Sequence, residues 1–339
     1  MNRFRIVIVC TFLFLSLGLD AGAMTLKIAT AAPEGSKWMK DMRAGAEEIS
    51  LRSEGRVRIK FFAGGVMGND KSVMRKVRIG QLHGGAFIAG SLEEVASSIN
   101  IFSLPLIFRA YDEVDYVRRQ MDIDLKGLLE EAGYACFGFA EGGFAYIMSP
   151  TPIRSIEDAR GLKIWVPEGD HISYRAMESL GLAPVTLPIT DVMSGLQARL
   201  IEVIASSPIG ALAFQWHTRV KYVTDTPLSY IYGTLVIDKR FFKKLKPADQ
   251  ELVREVMGRI YSDLDKANRI DNQNAVKAME QQGIEFIHSP EQEASRWRQV
   301  AMNLNQKLDE EGVVSNELYQ RILALLRDFR SGNVARNDR

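Results

Sequence analysis

A helical run too long for one small domain sets the first constraint on this chain. From Lys246-Pro247-Ala248-Asp249 onward, Leu252, Val256, Ile260, Leu264 and Ala267 fall on one stripe, with proline at the first helical position and Gly283 placed as the C-terminal cap. At about 1.5 Å per residue the run from Pro247 to Gln282 reaches about 54 Å. A domain of ordinary size is only about 30 Å across. The helix is therefore expected to run along two lobes rather than inside one, and a chain of 339 residues has material for two cores.

The segments before it alternate in type. Leu26-Lys27-Ile28-Ala29 has strand character, and Ala32-Pro33-Glu34-Gly35-Ser36 turns into a helix with Trp38, Met42, Gly45 and Ile49 at helical spacing. Val57, Ile59 and Phe61 alternate with Arg58 and Lys60, as in a strand with one wet face. The loop from Ala63 to Gly68 leads into a helix capped by Asn69 or Asp70 with Val73 and Val77 inward, and a strand follows around Phe87. Further strands are expected at 134–140, 144–148, 161–167, 203–205 and 284–287, with helices at 172–180 and 191–200. A helix capped by Ser289-Pro290-Glu291-Gln292 and another ending near Phe329 close the chain. This order defines an α/β fold in two units.

The amino terminus has the form of an export signal. Met1-Asn2-Arg3-Phe4-Arg5 precedes an apolar stretch from Ile6 to Leu19 and an A-x-A site at Ala21-Gly22-Ala23, so residues 1–23 are expected to be removed and the protein to act in the periplasm. The stretch is shorter than the ~20 residues a membrane span needs. Cys10 leaves with it and does not stand at the cleavage point, which argues against a lipid-modified cysteine; Cys136 remains alone, so no internal disulfide is expected. With 43 basic and 42 acidic side chains the chain offers no basic field for nucleic acid. Residues 331–339 are polar and aperiodic, and a flexible tail is expected there.

Catalytic and metal-binding patterns are missing from the sequence. His83, His171, His217 and His288 are scattered without an H-E-x-x-H pair or a cysteine cluster, so neither metal nor cofactor is expected. Gly64-Gly65-Val66-Met67-Gly68-Asn69-Asp70-Lys71-Ser72 departs from phosphate-loop spacing, and no G-x-S-x-G elbow is present. A periplasmic enzyme built from scattered residues stays as the alternative from another class; the expectation is a binding protein.

Gly161-Leu162-Lys163-Ile164-Trp165-Val166-Pro167, preceded by Ser155-Ile156-Glu157-Asp158 and followed by Gly181-Leu182-Ala183-Pro184-Val185, resembles the DctP-type solute-binding proteins of tripartite ATP-independent periplasmic (TRAP) transporters. The likeness runs from Leu26 to the long helix, and Gln215 to Thr224 looks like an aromatic-rich helix of that family. It implies a two-lobed periplasmic-binding-protein fold with a ligand cleft between the lobes and the long helix spanning both. Lobe I would comprise 24–141 plus 233–272, and lobe II 142–232 plus 273–330. Phe144 and the stretch Tyr230 to Tyr232 would lie where the chain crosses between lobes. The implied partners are a small-molecule ligand and the TRAP membrane subunits. Some divergent members work with tetratricopeptide-repeat proteins, which adds such a partner as a candidate.

One departure bears on the ligand. The family's usual arginine, which grips a substrate carboxylate, is replaced here by Trp165, and polar positions of the sialic-acid binders are small at Ala31, Ala89 and Ala145. The family's Asp-Gly-x-x-Asn-Pro loop becomes Glu202-Val203-Ile204-Ala205-Ser206-Ser207-Pro208. Burying an unpaired carboxylate costs at least several kcal/mol, against about 8 kcal/mol for micromolar binding. Two readings follow. In one, Trp165, Phe87, Phe144, Tyr146 and Ile189 line a cleft for a hydrophobic or weakly polar ligand, with Ala31, Trp38, Met67, Ala89, Pro167, Ser206 and Ser207 completing it. In the other, an acid binds through a different cation, Arg175 or Lys37. Against both, Trp165 can simply pack in the core.

Overall fold

The computed structural model describes residues 23–332, so the expected export segment and tail lie outside it apart from Ala23, Ser331 and Gly332. The first unit runs β1 (Met24–Thr30), α1 (Lys37–Arg52), β2 (Val57–Phe62), α2 (Asp70–Arg78) and β3 (Gly84–Ile88), followed by α3 (Tyr111–Glu131), β4 (Tyr134–Cys136) and β5 (Ala140–Ser149). The second unit holds α4 (Ile156–Ala159), β6 (Lys163–Pro167), α5 (His171–Ser179), β7 (Ala183–Leu187), α6 (Val192–Gln197), β8 (Ile204–Ser206) and α7 (Pro208–Ala213). After β9 (Tyr222–Asp238) and α8 (Lys239–Phe242) come α9 (Pro247–Gln281), β10 (Glu285–Ile287), α10 (Glu291–Glu310) and α11 (Asn316–Arg330). No helix among the described residues is long and apolar enough to cross a membrane.

One mixed sheet ties the units together. Its order is β2-β1-β3-β9-β5-β8, with β4 and β10 also paired to β9, while β6 and β7 form a separate parallel pair. β9 is the axis: residues 233–238 run antiparallel to β3 and β4, and residues 222–224 pair with β10 and with the far end of β5. β5 and β9 are the crossing strands, and their ladder shifts register between Glu141 and Gly143 and again between Ala145 and Ile147. At the second shift Asp225 to Leu228 stand outside the pairing, because Ala145 faces Ser229 and Ile147 faces Thr224. Gly143, at φ 94, takes a backbone shape that L side chains rarely adopt. Bulges at the crossing point bend and twist the strands where a hinge is needed.

α9 spans both units as its length requires. Proline opens it, Gly283 follows it at φ 83, and Leu252, Val256, Ile260 and Leu264 are buried against the first core. α1 crosses it closely: a Cβ on Gly45 would stand 2.1 Å from Ile260 Cδ1, so any larger residue there forces the isoleucine side chain to shift. Further along, α9 turns its polar residues onto the crossing strand. Asn272 donates to the Gly142 carbonyl at 3.1 Å and accepts from the Ile209 N–H of α7 at 3.1 Å, and Arg269 pairs with Glu141 at 2.7 Å and Asp115 at 2.8 Å. The helix thus holds first-lobe, hinge and second-lobe backbone in one network.

Several sequence expectations change. The strand expected at 134–140 ends at Cys136, and that expected at 144–148 begins at Ala140. The stretch from Gln215 to Thr224 is not a helix: Gln215 sits at φ 60, a short 3-10 turn covers Trp216–Arg219, and Tyr222, Val223 and Thr224 open β9, as β-branched and aromatic residues favour. α10 starts at Glu291 with Pro290 before it and no side-chain cap; the Ser289 hydroxyl has no hydrogen-bond partner among the described residues. The last helix packs against the first unit. Leu318, Ile322 and Leu326 of α11 share a core with Val117, Met121 and Leu125 of α3 in the first unit, and Arg330 donates to Glu113 at 2.7 Å. Two complementary apolar stripes at helical spacing outweigh proximity in sequence.

Candidate functional site

A cavity of about 750 Å³ opens between the units, with the crossing strands as its floor. The first unit supplies the β1–α1 loop with Ala31 and Trp38, and the end of β3 with Phe87 and Ala89. The second supplies Trp165 and Pro167 from β6, Ile189 after β7, and Ser206 and Ser207 at the end of β8. Each sits where an element ends. Parallel pairing of β1 with β2 and β3, and of β6 with β7, brings such ends to one edge.

Trp165 is both wall and core. It is only 4% exposed, its indole N–H donates to the Leu187 carbonyl at 3.0 Å, and its ring meets the edge of Trp216 at 5.2 Å. Phe214 stacks on Trp216 at 4.8 Å and extends the aromatic wall. Ser207 caps α7 by accepting from the Gly210 N–H at 3.3 Å, and Ser206 donates to the Ser207 carbonyl at 3.2 Å, so both hydroxyls already have partners. Trp38 packs edge-on against Phe61 at 6.5 Å.

Three expected lining residues lie elsewhere. Side chains alternate across a strand, and on β5 it is Ala145 that faces the cavity. Phe144 turns the other way and packs between Tyr111 at 4.7 Å and Tyr230 at 5.8 Å. Tyr146, on the same face as Phe144, fills space between the first and second cores. Met67 rests on the first core, and its carbonyl accepts from Lys76 Nζ at 2.7 Å.

The charges around the cleft are unevenly distributed. Among the described residues Lys37 is the only lysine or arginine that lines the cavity, half exposed and paired with Asp41 at 2.8 Å. Arg175 does not line the cavity; it is held by Glu311, which caps the end of α10. Acids are more numerous. Asp70, at the start of α2, and Asp170, the cap of α5, both line it, and burial raises the pKa of each. Glu93 is pushed up to about 7 by burial and then by the charge of Asp170. Asn69 Nδ2 donates to Glu168 Oε2 at 2.5 Å, a direct bond between the lobes at the rim. Sequence reasoning missed this acidic rim, because its members lie far apart in the chain and each resembles an ordinary helix cap. It also missed Trp297, which α10 brings to the cavity from the far end of the sequence.

Two α/β lobes, paired crossing strands and a deep cleft between them define a hinged solute-binding protein. The chain belongs to the bacterial extracellular solute-binding proteins, family 7 (DctP), which it matches over residues 28–311. It is 24% identical over 275 residues to the C4-dicarboxylate-binding periplasmic protein of Rhodobacter capsulatus, covering 78% of this chain and 80% of that one. It is 23% identical over 248 residues to the 2,3-diketo-L-gulonate-binding periplasmic protein of Escherichia coli (strain K12), covering 70% and 73%. Its fold is similar to that of a TRAP periplasmic solute-binding protein from Xanthobacter autotrophicus Py2 with bound β-D-galacturonate, with a TM-score of 0.81 and 21% identity over 89% of this chain and 99% of that one. It is also similar to the sugar-acid-binding protein of Advenella mimigardefordensis in complex with galactonate, with a TM-score of 0.83 and 17% identity over 90% and 98%. The protein is a periplasmic TRAP solute receptor, which binds a small molecule and delivers it to membrane subunits; the family is one of receptors, not enzymes.

Proposed function

We propose that the molecule this receptor carries is hydrophobic or weakly polar, and that the chain is a divergent member of its family without the carboxylate-gripping arginine. The observation that carries the reading is the cleft wall: Trp165 of β6 forms part of it, and among the described residues Lys37 is the only lysine or arginine that lines it, already paired with Asp41. A buried carboxylate would meet Asp70 and Asp170 without a buried cation to offset it. Aromatic faces from Trp38, Phe87, Phe214 and Trp216 offer dispersion and apolar burial instead. The reading carries with it a tetratricopeptide-repeat protein as accessory partner, supported by the sequence resemblance alone.

A second reading draws on the relatives, whose names and bound molecules are acids. Here Lys37 leaves the exposed Asp41 and turns to an acid ligand. Calorimetric titration of protein stripped of bound molecules separates the two. Succinate and galacturonate are expected to give no saturable heat below millimolar concentration. Micromolar binding of either, abolished by Lys37→Ala, would establish the second reading and reject the first.

A further inference from the structure

The loop between β2 and α2 carries Gly64, Gly65 and Gly68, and at φ 65, 72 and 96 all three hold a backbone shape that L side chains rarely adopt. Its N–H groups do not point outward to cradle an anion. Gly64 donates to the Ala32 carbonyl at 2.8 Å, Gly65 to Thr30 at 3.0 Å and Gly68 to Gly65 at 2.8 Å, so the loop is pinned to the end of β1 and the turn after it. Lys76 Nζ holds the Met67 carbonyl from behind at 2.7 Å. This fixed tip meets the other lobe. A Cβ on Gly65 would stand 2.3 Å from Cγ2 of Thr190, in the turn after β7, and Asn69 at the loop's end donates to Glu168, which follows β6. Where the first lobe passes Asp170 at Gly90, an added Cβ would stand 3.4 Å away, so the approach at Gly65 is the tighter.

We propose that Gly65 is the seat on which the second lobe closes: with no side chain there, Thr190 comes to rest on the loop, and a larger residue holds the lobes apart and lowers the closed population. Thr190 does not readily turn its methyl group aside. Its hydroxyl donates to Asp191 at 3.1 Å, and a β-branched side chain has few rotamers. Glycine at 65 is thereby a positioning residue for ligand capture, whatever the chemistry of the ligand.

The test places cysteines at Asn69 and Glu168 and follows their bridging by dibromobimane, which fluoresces once both of its arms have reacted. The rate reads how often the lobes meet and needs no ligand, and Cys136 is fully buried and stays out of the reaction. Every variant carries the pair, so the lost Asn69–Glu168 bond is common to all. Gly65→Ala is expected to slow bridging about tenfold, the effect of forcing a methyl group into a packed contact. Gly64→Ala pays a similar left-handed backbone cost at φ 65 but has nothing within 4 Å of its Cβ, and should bridge at the parent rate. Thr190→Ser deletes the opposing methyl group and keeps the hydroxyl, so added to Gly65→Ala it should restore most of the rate. Melting curves report that each variant folds. Equal rates in Gly65→Ala and Gly64→Ala, or a slow Gly65→Ala protein that Thr190→Ser does not rescue, would overturn the proposal, as would a parent pair that never bridges.

Discussion

Replacing Trp165 by arginine puts a cation on this wall, and the structure sets the size of the effect. The wild-type indole gives up its bond to Leu187 and its edge contact with Trp216. Full truncation of a buried tryptophan costs about 3–5 kcal/mol, of which the arginine stem recovers a part. Asp170 of the same lobe and Asp70 of the other line the same cleft, and they compete with a ligand carboxylate for the new guanidinium. Two charge-assisted hydrogen bonds to a bound carboxylate, each worth about 1.5–3 kcal/mol, give a net gain on the order of 3 kcal/mol after the lost packing, or roughly a hundredfold in affinity. Titration calorimetry with galacturonate should therefore find no saturable binding to the wild type and measurable binding to Trp165→Arg. Trp165→Phe, which keeps the ring and loses the N–H, should cost about 1 kcal/mol of stability and gain nothing for acids. A folded Trp165→Arg protein that handles acids and neutral molecules as the wild type does would place Trp165 outside the site and refute the reasoning.

Other consequences follow from the hinge and the rim. Arg269→Ala leaves Glu141, 1% exposed, without its cation and should cost about 3–5 kcal/mol in denaturant unfolding, because an uncompensated buried charge is dearer than a lost surface pair. Glu168→Ala removes the interlobe bond while Asn69 still caps α2, so ligand affinity should fall about fivefold at unchanged melting temperature, measured by calorimetry and thermal unfolding. Closure should also depend on pH. Glu93 faces Asp170 and the His171 backbone from the second lobe and Asn100 from its own, with Asp70, Ser91 and Glu168 nearby at the rim. In this structure burial and then the charge of Asp170 push its pKa up to about 7, above the ordinary 4.5, so this arrangement of the lobes favours the protonated acid. That contribution is complete below 4.5 and is lost as pH rises through about 7. Small-angle scattering with bound ligand should show a larger closed fraction at pH 5 than at pH 8, and Glu93→Gln should flatten the difference.

Much of this architecture is legible in the sequence because local signals agree with the tertiary outcome. Pro247 and Gly283 bracket α9, and its length alone requires two lobes. The turn ending at Ser36 and the cap at Asn69 mark helix starts that the structure keeps. β9 is less legible: buried from both sides and interrupted at Pro227, it shows neither clean alternation nor a continuous apolar run. The site divides the same way. Trp165, Pro167, Ser206 and Ser207, expected in the cleft from the family resemblance, do line it, whereas Phe144, expected there as an aromatic of the crossing strand, yields that place to Ala145 through the strand's alternation. Nothing local could indicate Trp297, since helix α10 reaches the cleft only through packing that spans the whole chain.

Mass spectrometry of the protein as purified, under native and then denaturing conditions, tests the ligand assignment most directly. The account predicts release of a hydrophobic or weakly polar molecule. Release of a carboxylic acid, bound one to one, would contradict it.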